Sequence, residues 1–183
     1  MKIIAFAGSN SGVSINKKLV TYAASLFENA DVEILDLNDY EVPMYKHERE
    51  LESGVPDKMV AFAEKFDSAD LVLLSLAEHN GSYSVAFKNV FDWISRIPSR
   101  SAFNEIPMFL MATAGSARGG LGVLEGAVAR FPFNGGNVVE TFTLPFFNDN
   151  FNVDENKIRN AEKDAELKEK VAKISKLEAL INE

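Results

Sequence analysis

Short apolar runs alternate with amphipathic segments along the whole chain. Five runs predict β-strands because they are short and dominated by buried-type residues, at 2–7, 31–37, 69–77, 106–114 and 137–144. The third run, ADLVLLSLA, is almost uninterrupted, which is typical of a central strand covered on both faces. Apolar residues at helical spacing predict five helices, around 19–27, 59–66, 85–94, 119–131 and 154–182.

The fivefold alternation of strand and helix predicts an α/β fold: a five-stranded parallel sheet with helices on both faces, joined by right-handed crossovers. Residues 38–56 are polar and marked by Pro and Gly, and predict a long loop. We find no internal repeat and no linker, so residues 1–183 are predicted to form a single domain.

The last helix, 154–182, is predicted to cover the sheet, with Asp154 and Glu155 at its start, where the helix dipole favours negative charge. Its apolar stripe is predicted to contain Ile158, Ala161, Ala165, Val171, Ile174, Leu177 and Ile181.

Charge and composition argue against several classes of binding partner. The net charge is −8, with 27 acidic and 19 basic residues, so neither nucleic acid nor an anionic membrane is an expected partner. There is no Cys, and His47 and His79 share no metal-binding spacing, so no metal site is expected. The apolar run before Gly8 is too short for a signal peptide, and the default prediction is a cytoplasmic protein.

Three loops share a composition rich in Gly, Ser and Asn. They follow the first, third and fourth strands and comprise 8–16 (GSNSGVSIN), 77–84 (AEHNGSYS) and 114–120 (AGSARGG). In an open parallel sheet, ligands bind beyond the carboxyl ends of the strands, where these loops lie. We refer to them as loops one, two and three.

Loop one precedes a helix, whose first backbone N–H groups are unpaired and favour an anion such as phosphate. Gly8 allows a sharp turn, and Ser9, Ser14 and Asn16 can add polar contacts. Alternatively, Ser14 only caps the helix. The spacing matches neither the nucleoside triphosphate loop nor the dinucleotide-binding fingerprint.

Loops two and three favour a flat ring. Backbone amides near Glu78, His79, Asn80 and Gly81 can bond the polar edge of a heterocycle, and the glycines of loop three let backbone approach its face. Flavin mononucleotide (FMN) has such a ring with a phosphate tail, and the flavodoxin-like strand order 2-1-3-4-5 binds it at this edge. The residues alone do not single out FMN.

Three motifs carry a family resemblance. Residues 8–16 are similar to G-S-x-R-x-x-S-x-N, residues 77–96 to P-E-Y-N-G-S-Y-P followed by L-K-N-A-x-D-W, and residues 112–121 to a small-residue strand end followed by G-x-x-G-G. Over about residues 2–145 the chain resembles the NAD(P)H-dependent FMN reductases, which include quinone, azo-dye and chromate reductases.

The resemblance implies a flavodoxin-like three-layer sandwich with sheet order 2-1-3-4-5 and bound FMN. NADPH or NADH would pass a hydride through the flavin to a quinone, a free flavin, an azo compound or a metal oxyanion. No protein side chain is predicted to be catalytic, because the chemistry takes place at flavin N5. A homodimer or homotetramer is implied. The cofactor-binding residues implied are Ser9, Ser11, Ser14, Ile15, Asn16, Ala77, Glu78, His79, Asn80, Gly81, Ala114, Gly115, Gly119 and Gly120.

The sequence departs from the family motifs at several positions. Ser11 replaces the motif Arg and removes a fixed positive charge, while Ala77, His79 and Ser84 replace Pro, Tyr and Pro. These departures motivate a second hypothesis, a non-catalytic flavodoxin-like electron carrier or binding module with weakened flavin affinity.

Overall fold

The computed structural model describes residues 1–181, and side chains as far as Lys176. In chain order its elements are β1 (Lys2–Gly8), α1 (Ile15–Ser25), β2 (Asp31–Leu35), α2 (His47–Ser53), α3 (Asp57–Asp67), β3 (Leu71–Leu76), β4 (Glu78–His79), β5 (Ser82–Tyr83), α4 (Val85–Ile94), β6 (Pro107–Thr113), α5 (Leu121–Arg130), a 3₁₀-helix (Phe131–Asn134), β7 (Asn137–Leu144), α6 (Phe147–Asn150), β8 (Phe151–Asn152), β9 (Lys157–Ile158) and α7 (Ala161–Ile181).

Five parallel strands form the central sheet, in the order β2-β1-β3-β6-β7. Counted among the sheet strands alone, this order is 2-1-3-4-5, which confirms the predicted flavodoxin-like topology. β1 and β3 are buried along almost their whole length because strands lie on both sides of each and helices cover both faces.

Helices cover the sheet in two layers. On one face, α3, α4 and α5 pack against an aromatic core in which Phe6 of β1 lies 5.3 Å from Phe62 and 5.8 Å from Phe66, measured between ring centroids. On the other face, α1 and α7 bury Leu19 and Leu167 against β1, β3 and β6. The predicted three-layer sandwich is therefore confirmed. No helix within residues 1–181 is both long and apolar enough to cross a membrane.

Two stretches differ from the sequence predictions. The predicted loop 38–56 contains α2, whose sequence HERELES has no apolar periodicity and no buried residue. The predicted helix 154–182 begins only at Ala161, because residues 151–158 form a small antiparallel hairpin, β8–β9. Asp154 and Glu155 lie in that hairpin turn and not at a helix start.

The stripe predicted for the last helix is partly wrong. Ile158, Val171 and Ile174 are buried as predicted, but Ala161 and Ala165 are exposed, and Leu167 is the buried residue of that turn. Leu177 and Ile181 lie outside the described side chains.

Candidate functional site

The three loops meet at one edge of the sheet. They follow β1, β3 and β6, which are consecutive neighbours in the sheet, so all three lie side by side beyond the carboxyl ends of these strands. A hydrogen bond joins loops one and two: the hydroxyl of Ser84, the last residue of loop two, donates to the Gly8 carbonyl at 2.8 Å. The same hydroxyl accepts from the Phe87 amide at 3.1 Å and so caps α4.

Loop one presents free amides at the start of α1. The Ser14 hydroxyl accepts from the Lys17 amide at 3.1 Å, and the Ser14 amide donates to the Ser11 carbonyl at 3.2 Å. Ser14 is therefore the helix cap. The amides of Ile15 and Asn16 make no hydrogen bond to any described residue, and the helix dipole adds positive potential there. The cap therefore leaves two backbone amides without a protein acceptor among the described residues, and an anion site there stays a prediction.

The Asn16 side chain does not face the anion seat as expected, and is 3% exposed. Its Oδ1 accepts from the Ser75 hydroxyl at 2.7 Å and the Thr113 amide at 3.0 Å, and its Nδ2 donates to the Thr113 carbonyl at 3.2 Å. The side chain thus joins loop one to the ends of β3 and β6, because its polar atoms have these buried partners. Only the Asn16 backbone amide remains available to a ligand.

The other polar groups of loop one are partly engaged. The Ser9 hydroxyl accepts from the Ser11 amide at 3.2 Å, and the Ser11 hydroxyl accepts from the Val13 amide at 3.3 Å. Lys17 Nζ lies 2.5 Å from the Asp36 carboxylate, and this hydrogen bond lowers the pKa of Asp36. Of the two lysines in the first turn of α1, Lys17 is therefore already paired.

Loop two is a tight β-hairpin. β4 and β5 pair antiparallel, with Asn80 (φ 52°) and Gly81 (φ 78°) at the turn, which is the geometry of a type I′ turn. His79, Asn80 and Gly81 are exposed, and Ala77 is buried at the end of β3. The Asn-Gly pair is a known hairpin signal that the sequence analysis did not use.

Glu78 points towards loop three and not towards open space. Its Oε1 accepts from the Val123 amide in the first turn of α5 at 3.1 Å. A Cβ on Gly122 would lie 2.3 Å from that oxygen, so a larger residue at this position would displace the carboxylate. The Glu78 carboxylate caps α5, and its predicted contact with a ring stays a prediction.

Loop three has one open glycine and two packed ones. Gly115 has no neighbour that a Cβ would meet, so its backbone is accessible. Gly119 (φ +58°) and Gly120 (φ +81°) are buried. A Cβ on Gly119 would lie 2.8 Å from the Pro145 nitrogen, and a Cβ on Gly120 would lie 2.8 Å from the Ala112 Cβ. Gly119 and Gly120 therefore shape the backbone.

The end of β7 supports loop three. The Ala114 carbonyl accepts from the Phe147 amide and the Ser116 carbonyl from the Phe146 amide, both at 3.1 Å. Phe146 has a left-handed backbone (φ 46°) and is 44% exposed.

A cleft of about 440 Å³ opens between the loop after β2 and the start of α4. The sequence predicted residues 38–56 only as a polar loop, and no cleft was predicted there. Loops one and two border it through Asn10 and His79. It is lined by Asn10, Leu37, Asn38, Tyr40, Glu41, Val42, Pro43, Met44, His79, Ser84, Val85, Ala86, Asn89 and Val90.

A parallel sheet of this order, with free amides and accessible backbone in three adjacent loops, defines a flavodoxin-like α/β protein with an anion seat at its first loop. Among residues 1–176, no cluster of three or more His, Asp or Glu is placed to hold a metal ion. Comparison with known proteins identifies the family within this fold class. The model of the NADPH-dependent FMN reductase family matches residues 1–150, and the chain belongs to that family.

Individual relatives are distant. An uncharacterized protein of Mycoplasma pneumoniae is 28% identical over 147 residues, 78% of this chain and 86% of its own length. An NADPH azoreductase of Bacillus sp. (strain OY1-2) is 32% identical over 128 residues, 68% of this chain and 65% of its own. The quinone reductase of Escherichia coli is 31% identical over 108 residues, 59% of this chain and only 51% of its own. This chain thus spans about half of that enzyme.

Solved structures share the fold over almost the whole chain. FerB, a flavoenzyme NAD(P)H:(acceptor) oxidoreductase from Paracoccus denitrificans, superposes with a TM-score of 0.76 at 18% identity, covering 96% of this chain and 95% of its own. An FMN-dependent NADH-azoreductase from Bacillus anthracis, solved with FMN, gives 0.68 at 15% identity, covering 96% and 100%. At these identities the likeness bears on the fold alone.

Family membership confirms the resemblance found in the sequence, and with it the prediction of an oxidoreductase of the NAD(P)H-dependent, FMN-using kind. Nothing in the comparisons supports the second hypothesis of a non-catalytic carrier or binding module. The residues that bind FMN stay a prediction.

Proposed function

We propose that this protein binds FMN with the phosphate on the free amides of Ile15 and Asn16, and uses it to oxidise NADPH or NADH and reduce a small acceptor. The observation that carries the proposal is the pair of amides at the start of α1, which have no protein acceptor among the described residues. The family match supports the choice of FMN over other phosphorylated ligands.

The residues present fit FMN at three points. A phosphate would meet the α1 dipole and the two amides, with the half-exposed Ser9 beside them. The exposed backbone of His79, Asn80 and Gly81 would border the ring, and Gly115 leaves room for a ring face. The remaining predicted residues support these contacts from behind, since Asn16, Glu78 and Gly120 hold the loops to one another.

When bound, the chemistry that FMN supplies is the transfer of a hydride from NAD(P)H to a second acceptor. The protein's own part is to hold the phosphate, to fix the backbone of loops two and three, and to limit access of water. No side chain is assigned a proton-transfer role. Because donor and acceptor would use the same exposed ring face in turn, we expect parallel lines in double-reciprocal plots of the initial rates.

The test compares FMN with riboflavin, which has the same ring without the phosphate. We expect the apoprotein to bind FMN much more tightly than riboflavin, and NADPH or NADH to bleach the bound flavin under nitrogen. Equal affinity for the two flavins would refute the phosphate seat, and a flavin that stays yellow with both nicotinamides would refute the oxidoreductase.

A variant of loop one sharpens the test. Ser11→Arg restores the guanidinium of the family motif at an exposed position. A charge-assisted contact is worth about 1.5–3 kcal/mol, so FMN affinity should rise roughly tenfold to a hundredfold while riboflavin affinity stays the same. A matched Ser116→Arg in loop three should raise FMN affinity far less; an equal rise would show only non-specific attraction of charge.

We also propose a cytoplasmic homodimer or homotetramer. The family resemblance supports the assembly, and exposed apolar side chains such as Leu51 (73% exposed) and Phe133 (79%) offer surface for it. Sedimentation equilibrium measures the oligomeric state, and a monomer at micromolar concentration would refute this part. The cytoplasmic location is supported by the absence of Cys from the sequence.

A further inference from the structure

The cleft between residues 37–44 and α4 has a fixed wall. The Asn89 side chain accepts from the Tyr45 amide at 2.7 Å and donates to the Val42 carbonyl at 3.2 Å. One turn further along α4, the Trp93 indole donates to the Pro43 carbonyl at 2.8 Å. These bonds hold the loop in place before any ligand arrives, so less conformational entropy is lost on binding.

The cleft is mainly apolar, and two polar side chains from loops one and two also line it. Leu37, Val42, Val85 and other apolar side chains line it, and its volume of about 440 Å³ suits a molecule of one to three rings. The side chains of Asn10 and His79 make no hydrogen bond to a described residue, and both can donate to a carbonyl oxygen. Because these two residues belong to loops one and two, the cleft borders two of the loops predicted to bind the flavin.

The charge of the cleft has one sign. Glu41 is the acidic residue among its lining side chains, and no Lys or Arg of the described chain lines it. The Arg49 guanidinium donates to the Met44 carbonyl and Lys58 to the Asp39 carbonyl, but neither cation lines the cleft. The net charge of −8 on the whole chain adds to the repulsion of anions.

We propose that this cleft binds the electron acceptor, that it selects small neutral quinones over anionic acceptors, and that Glu41 is the residue that sets this selectivity. The proposal rests on the proposed oxidoreductase function. In the overall reaction NAD(P)H loses a hydride, the quinone gains that hydride and one proton from solvent, and a hydroquinone leaves. Metal oxyanions and sulfonated dyes would be poor acceptors.

The test measures binding without turnover. Equilibrium dialysis of the oxidised, FMN-loaded protein, with no nicotinamide present, compares 1,4-naphthoquinone with its 2-sulfonate. The chain contains no Cys, so neither compound can form a thiol adduct. At low salt we expect the neutral quinone to bind at least fivefold more tightly than the sulfonate.

Substitutions separate charge from packing. A charge about 5 Å away in a solvated cleft is worth about a threefold to tenfold change in affinity. Glu41→Gln should raise sulfonate affinity by this factor, leave the neutral quinone within twofold, and lose its effect in 1 M salt. The control Glu64→Gln removes an exposed carboxylate of α3, outside the cleft, and should change neither affinity. Val85→Lys, at an exposed lining position, should also raise sulfonate affinity.

The possible failures are distinguishable. If both compounds bind equally, or if Glu41→Gln behaves like Glu64→Gln, the acceptor proposal is wrong, whether or not NAD(P)H bleaches the flavin. If Val85→Lys leaves sulfonate affinity unchanged, the acceptor lies elsewhere, and the proposal is also overturned. If NAD(P)H does not reduce the flavin, the proposed function fails, independently of what the dialysis shows.

Discussion

Replacing Asn16 with Ala tests whether the side-chain network beneath loops one and three holds the site together. The change removes three hydrogen bonds, of 2.7, 3.0 and 3.2 Å, to Ser75 and Thr113. Ser75 is 0% exposed and Thr113 is 1% exposed, so water cannot readily replace the lost partner. At about 1 kcal/mol for each bond, the three lost hydrogen bonds together cost about 3 kcal/mol.

The expected net loss is about 2–3 kcal/mol, because Ala gains up to about 0.7 kcal/mol over Asn in helix propensity. With a urea slope of about 2 kcal/mol per molar, the midpoint of unfolding should fall by about 1–1.5 M. Asn148→Ala, an exposed control without a side-chain hydrogen bond, should change stability by less than about 0.5 kcal/mol. Equal stability of the two variants would refute the reasoning.

Asn16→Asp tests the same network through the direction in which stability changes with pH. Aspartate keeps the shape and the acceptor oxygen but places a second oxygen against the Thr113 carbonyl, in a site that is 3% exposed. Burial raises the pKa of such a carboxyl above its unfolded value, so the folded state binds the extra proton more readily. The protonated group can donate to Thr113, and the deficit relative to wild type should shrink as the pH falls from 7 to 5. A pH-independent deficit would contradict this account.

Two further predictions concern backbone geometry and charge. Gly120→Ala should lower the free energy of unfolding by about 2 kcal/mol or more, because the backbone is left-handed (φ +81°) and a methyl group would lie 2.8 Å from β6. Gly115→Ala, in open space, should cost less than about 0.5 kcal/mol. Similar urea midpoints for the two variants would refute this distinction. Asp36→Asn should cost less than about 1 kcal/mol at pH 7, because the pair with Lys17 is partly exposed. The hydrogen bond from Lys17 lowers the pKa of Asp36 below its ordinary 3.8, so its contribution is present above about pH 4 and is lost as the pH falls through the folded pKa. The gap between variant and wild type should therefore close in acid, and a gap that widens would overturn the assignment.

The fold could be predicted because its signal is long-range and redundant. Each central strand is apolar on both faces, so runs such as LVLLSL in β3 stand out without any knowledge of the neighbours. The short elements lacked such a signal. The polar helix α2 buries no residue, and the turn of the β8–β9 hairpin contains acidic residues that resemble a helix start.

The site was predicted at the level of loops and not of side chains. Gly/Ser/Asn composition after three strands located the edge, and Ser14 fixed the start of α1. The direction of Asn16 and Glu78 could not be predicted, because it depends on which strand ends lie side by side: Asn16 reaches Thr113, 97 residues away, and Glu78 reaches Val123, 45 residues away. Their neighbours become visible only once the β1-β3-β6 order is known.

These side-chain directions change how the absence of the motif Arg should be understood. The Asn16 side chain is committed to Thr113, and Lys17 is paired with Asp36, so neither offers a charge-assisted contact to a phosphate. In the proposed site, the phosphate would then bind to backbone amides and a helix dipole, which contribute little individually and depend strongly on orientation. Its affinity would therefore depend on how rigidly the start of α1 is held. If the phosphate binds as proposed, the buried side-chain network of Asn16 and the Ser14 cap act by positioning these amides, so Asn16→Ala should weaken FMN binding more than riboflavin binding.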